Sequence, residues 1–125
     1  MNISRNFILA GVAYLLVGIS FGIYMGSSGD HSYAPLHAHI NLLGFTLITV
    51  FGVLYRVFPE TGLSSLARAH FWLHLVGSIL MLGTLFLWFS KRIGEEAMFP
   101  VMPIAEVMIF VGIVLYAYNV FKNLK

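Results

Sequence analysis

Four apolar runs, roughly Phe7–Met25, Leu36–Phe58, Leu66–Phe89 and Val101–Phe121, take up most of the 125 residues. Each is about 20 residues long, the length an α-helix needs to cross the hydrocarbon core of a bilayer. Lipid gives an unpaired backbone amide no partner, so such runs must satisfy their own hydrogen bonds, as helices do. The expected fold class is therefore all-α: an integral membrane four-helix unit, a single transmembrane domain over residues 1–125. Composition agrees, with 59% hydrophobic residues and 10% charged ones, against about 25% charged in soluble domains. The breaks "GSSGDHSYAP", "PETGLSS" and "SKRIGEEAMFP" carry turn chemistry. Pro35 opens the second helix, where its missing N–H costs little. The first run follows Arg5, is too long for a signal-peptide h-region and leads to no A-x-A site. It reads as a retained helix.

The sign of the loop charges orients the unit. Arg5, Arg56, Arg68, Lys122 and Lys125 flank one side, and only Lys91 and Arg92 flank the other. The positive-inside rule then puts both termini in the cytoplasm and the loops after the first and third helices outside. A formal charge of +2 gives no reason to expect nucleic acid as a partner; the expected surroundings are membrane lipid. The chain has no cysteine. That excludes disulfides, iron–sulfur clusters, thiolate metal sites and covalent C-x-x-C-H haem attachment. Any haem must be held non-covalently.

Ionisable side chains inside a membrane are costly and mark functional sites. His37 and His39 lie in the first turn of the second helix. Residues two apart on a helix are about 200° apart, so the two imidazoles face nearly opposite sides and serve two different sites rather than one chelate. The competing reading is that they meet water among the headgroups. His70 and His74 are spaced i, i+4 on the third helix and share a face. That spacing suits a metal such as zinc or copper if other helices complete the shell. The plainer reading has His70 capping the helix or meeting headgroups and His74 donating to a carbonyl on a neighbouring helix. Glu106 is the acid well inside a span, at a depth close to that of His39. It either accepts the far ring N–H of a ligating histidine and orients it, or stays protonated on a carbonyl. Lys91 and Arg92 are snorkelling ends or counter-charges for an anionic group near the outer surface. Gly44, Gly52, Gly77, Gly83 and Gly112 suit close helix contacts.

The stretch "HAHINLLGFTLITVFGVLYRVFPE", His37 to Glu60, resembles the second transmembrane helix of haem–copper oxidase subunit I, nitric oxide reductase relatives included. "LARAHFWLHLVG", Leu66 to Gly77, resembles another helix of that superfamily. Together they cover about a third of the chain. The resemblance implies one four-helix arc of a twelve-helix subunit in which haem and copper ligands sit on the second helix of each arc. One family helix carries an H-x-H whose histidines ligate different haems, and His37-Ala38-His39 has that spacing. The departures are equally specific. There is one arc in place of three, no adjacent His-His pair, and no His–Tyr pair spaced for a cross-link. Oxygen or nitric oxide reduction, and so an enzyme of that kind, is not expected. His70 inherits no ligand role.

The resemblance, taken with the opposed histidines, implies a b-type haem protein suited to electron transport, in a bacterial inner (plasma) membrane. Its iron would be held by His37 of one chain and His39 of the next. A homo-oligomer, a homotrimer rather than a dimer, would rebuild the ring, with Glu106 orienting an imidazole and Lys91 and Arg92 meeting the propionates. The redox partner is left open. Two alternatives stand beside it: a copper- or zinc-binding membrane protein using His31, His37 and His39, and a cofactor-free assembly subunit of an oxidase.

Overall fold

A computed structural model describes residues 1–125. It is all-helical, without a strand. Helix α1 spans Ile3–Ser28, α2 Ala34–Val57, the short α3 Pro59–Gly62, α4 Ser65–Phe89 and α5 Val101–Asn123, with a 3₁₀ turn at Glu95–Met98. The four long helices are each long and apolar enough to cross a membrane.

Their ends follow local chemistry. Asn2 caps α1 by accepting the Arg5 amide at 3.0 Å, and Gly29 closes it in the left-handed region. Ser64 caps α4, accepting the Ala67 amide at 3.2 Å. At the other end of α4, Lys91 takes φ 60° and the Arg92 amide returns to the Leu87 carbonyl at 3.0 Å. That is a Schellman stop with a lysine where glycine is usual.

The helices form two hairpins, α1 with α2 and α4 with α5, joined mainly through α4. Lipid supplies no hydrophobic drive for helices to associate, so contact depends on small residues and interhelical hydrogen bonds. Both are present. Tyr14 of α1 and Ser78 of α4 share a 2.6 Å hydrogen bond. The Cα atoms of Gly11 and Gly18 on α1 lie against Thr49 and Asn41 of α2, leaving no space for a Cβ. Gly44, Gly52 and Gly77 also sit in tight contacts, Gly112 is in ordinary van der Waals contact with His70 and Leu73, and Gly83 has open space around it. The expectation for Gly83 is therefore corrected: it makes no close helix contact and lines an open groove with Tyr14 and Phe21 of α1 and Leu36 of α2. Leu16, Ile23, Phe110 and other large apolar side chains of α1 and α5 remain exposed, as suits a lipid-facing surface.

Two apolar clusters fill the interior. Ile3, Phe7, Ile48, Phe51, Tyr55, Ala67 and Phe71 pack at the end that carries the termini. Leu36, Ile40, Leu82 and Leu85 pack at the opposite, loop end. Asn119 of α5 ties the termini end together: its Nδ2 donates to the Thr61 carbonyl at 2.9 Å, and its Oδ1 accepts from Ser64 and Asn123.

Candidate functional site

Helix α2 is not regular. Ala34–His39 is α-helical, Ile40–Thr46 is a π segment, and Leu47–Val57 is α-helical again. The Leu47 amide bonds the Leu42 carbonyl, five residues back, in place of Leu43. The Leu43 carbonyl loses its ordinary partner. π turns inside α-helices are frequently found at functional positions, and this one separates two pairs of histidines.

The first pair is at the loop end. His37 and His39 turn to different sides of α2. His37 leans on α1, where its Cε1 lies near Gly22 and its Nδ1 is 2.7 Å from the Gly18 carbonyl. A carbonyl only accepts, so Nδ1 carries the proton and Nε2 is bare. The Asn41 amide approaches that Nε2 at 3.3 Å. His39 is exposed, and its Nδ1 donates to the Pro35 carbonyl one turn back at 2.7 Å. Its bare Nε2 has no hydrogen-bond partner in the chain. A ligating histidine commonly has this arrangement, with the far N–H fixed on a carbonyl and the near nitrogen free.

The second pair lies in the half of the bundle nearer the termini. The sequence offers His70 as a cap or headgroup contact, and the structure corrects this. Ser64 caps α4, while His70 and His74 are both 0% exposed. The Tyr55 hydroxyl is 2.9 Å from His70 Nδ1. His74 Nε2 donates to the Leu43 carbonyl at 3.3 Å, the carbonyl that the π turn releases, as the plainer reading of His74 anticipates. The remaining nitrogens, His70 Nε2 and His74 Nδ1, are buried without a partner. The two ring centroids are 5.8 Å apart. Phe7, Phe51 and Tyr116 enclose His70 at centroid distances of 5.0, 4.4 and 5.4 Å.

The other expected site residues do not converge within one chain. Glu106 is exposed on α5 and forms no side-chain hydrogen bond, so it does not orient either α2 imidazole from inside the chain. Lys91 and Arg92 are exposed in the loop after α4, with the Arg92 guanidinium 5.5 Å from the Phe86 ring centroid. A three-histidine centre from His31, His37 and His39 does not form in the chain either. No three His, Asp or Glu side chains come close enough to hold one ion, because His37 and His39 leave α2 on different sides.

Sequence reasoning missed Tyr55 and Gly18. Tyr55 lies fifteen residues from His70 and looks like an ordinary aromatic of the α2 run. Gly18 and Gly22 are spaced i, i+4 on α1, a signal that a polar side chain of a neighbour can sit close there. Compared with protein-family models, with curated proteins and with solved structures, the chain matches none.

Proposed function

We propose that the chain is a membrane b-type haem protein that carries electrons, with each haem held non-covalently between neighbouring copies of a homo-oligomer. The observation that carries this reading is His39: an exposed imidazole at the loop end whose Nδ1–H is fixed on Pro35 and whose Nε2 is bare. A histidine with both ring positions settled and nothing in its own chain to bind suits a ligand to a guest shared with a second chain. His37 supplies the other axial ligand. Its Nε2 is also bare, and the long 3.3 Å approach of Asn41 is weak enough for a side-chain rotation to release it.

Bis-histidine ligation fills both axial positions, which favours electron transfer over substrate chemistry. The loop charges support an orientation with the termini in the cytoplasm and the haem toward the outer side of a bacterial plasma membrane. Glu106, an exposed acid inside a span, supports oligomerisation, because a carboxyl facing lipid needs a partner and its own chain provides none. Lys91 and Arg92 lie at the loop end, where propionates would emerge. A closed trimer of four-helix units rebuilds a twelve-helix ring.

The reduced-minus-oxidised spectrum of protein purified after expression with haem tests this reading. The expected result is a six-coordinate low-spin spectrum that is lost in His39→Ala and in His37→Ala. One haem per chain fits the ring, and one per two chains fits a dimer. A wild-type protein without a Soret band, or a His39→Ala protein that keeps its haem, rejects the proposal.

A further inference from the structure

The paired imidazoles of His70 and His74 have no part in the haem proposal, yet their state is unusual. A buried polar nitrogen without a partner costs free energy, and this pair has two such nitrogens on adjacent rings. The far nitrogen of each ring is occupied. The Leu43 carbonyl holds His74 Nε2–H, which leaves Nδ1 a bare lone pair. The Tyr55 hydroxyl meets His70 Nδ1. With Tyr55 as the acceptor of that bond, His70 Nε2 is a bare lone pair as well. Metal-bound histidines are held in this way, the distal N–H on a carbonyl or hydroxyl and the proximal nitrogen free for the ion.

We propose that His70 Nε2 and His74 Nδ1 together bind one Cu(I) ion inside the bundle. Three arguments bear on the site and its ion: the spacing admits a bridging ion, and ligand number and charge select Cu(I). The first is spacing. A metal–imidazole bond of about 2 Å plus a ring half-width of about 1 Å puts two ring centroids on one near-linear ion about 6 Å apart. The observed separation is 5.8 Å. The second is ligand number. No third His, Asp or Glu joins the pair, whereas structural zinc takes four ligands. Cu(I), a closed-shell soft ion, accepts two neutral nitrogens in a near-linear arrangement. The third is charge. The cost of burying an ion rises with the square of its charge, and no carboxylate is present to offset it. A monovalent ion between two neutral imidazoles is far less costly there than a divalent one. The rings of Phe7, Phe51 and Tyr116 shield it from water.

The position explains the π turn. Without it the Leu43 carbonyl would bond the Leu47 amide first and offer His74 only its second lone pair. The π turn frees the Leu43 carbonyl that holds the His74 Nε2 proton.

The test is an anaerobic competition in detergent between the full chain and a colorimetric Cu(I) chelator, with a Zn(II) control. The expected result is one Cu(I) withheld per chain and no zinc. The His31→Ala/His37→Ala/His39→Ala protein should keep its copper, and His70→Phe and His74→Leu should each lose it. X-ray absorption of copper-loaded wild type should give a first shell of two nitrogens, which decides the matter even where a variant fails to fold. The proposal is overturned if wild type yields all its copper to the chelator, if the triple variant loses it, or if the first shell is sulfur from methionine. Equal retention by a folded His70→Phe/His74→Leu protein also overturns it. Haem content plays no part in any of these readouts.

Discussion

Replacing Tyr55 by Phe isolates the buried hydrogen bond at the centre of the bundle. Tyr55 is 2% exposed, and its hydroxyl is 2.9 Å from Nδ1 of the fully buried His70. The substitution keeps the ring and therefore its stacking on Phe7, at a centroid distance of 5.5 Å. It also keeps the edge contact with Tyr116 at 5.6 Å. Only one oxygen is removed, so the cavity contribution is small. What changes is His70. Its Nε2 already lacks a partner, and the variant strips the other nitrogen too. Leaving a buried polar group unsatisfied costs about 1–3 kcal/mol, and an imidazole with neither nitrogen satisfied belongs near the upper end. Unfolding of copper-free protein by SDS in mixed micelles should therefore show a loss of about 2–3 kcal/mol. Removing both partners reverses the logic, because two apolar rings of similar shape make no polar demand. Tyr55→Phe/His70→Phe should be more stable than Tyr55→Phe alone, with a coupling energy well outside simple addition. A Tyr55→Phe protein within about 0.5 kcal/mol of wild type, or a double variant equal to the sum of the singles, refutes the reasoning.

Three further outcomes are expected. Asn119→Leu should cost about 1–3 kcal/mol in the same titration, since it removes the Asn119 hydrogen bonds to the Thr61 carbonyl, Ser64 and Asn123. Gly18→Ala should destabilise by about 1–3 kcal/mol, because its Cβ would fall 3.0 Å from Asn41 Cγ; Gly83→Ala, with open space around it, should stay within about 1 kcal/mol on the stabilising side. Asp30 in the loop after α1 accepts the Ser32 amide at 3.0 Å, and that bond first, then the Ser32 side chain, holds its carboxyl below the ordinary range. A lowered folded pKa means that the bonded loop is favoured above the unfolded value of about 3.9 and that this preference is lost as pH falls through the folded value. An NMR titration of the Asp30 carboxyl should give a midpoint below about 3.9, and a midpoint at or above it contradicts the assignment.

How much of the site the sequence shows depends on the range of the interaction. The opposed directions of His37 and His39 follow from helical angle alone, and the structure places one against α1 and the other in the open. The shared face of His70 and His74 follows from i, i+4 spacing in the same way. Their burial does not. Two histidines near a helix start look like headgroup contacts until Tyr55, Phe7 and Tyr116 close around them. Those residues come from three other helices, and no local pattern in α4 names them.

The sequence alone determined that this chain forms four membrane-length helices, because lipid leaves a long apolar run no other way to pair its amides. It also determined that the two α2 imidazoles diverge, because the helical turn is fixed. Only the tertiary structure decided where the backbone of α2 departs from regularity and which side chain uses the result. The π turn at Ile40–Thr46 exchanges an internal hydrogen bond for one between Leu43 and His74. That exchange is settled by the close approach of α4, a contact thirty-one residues away in sequence.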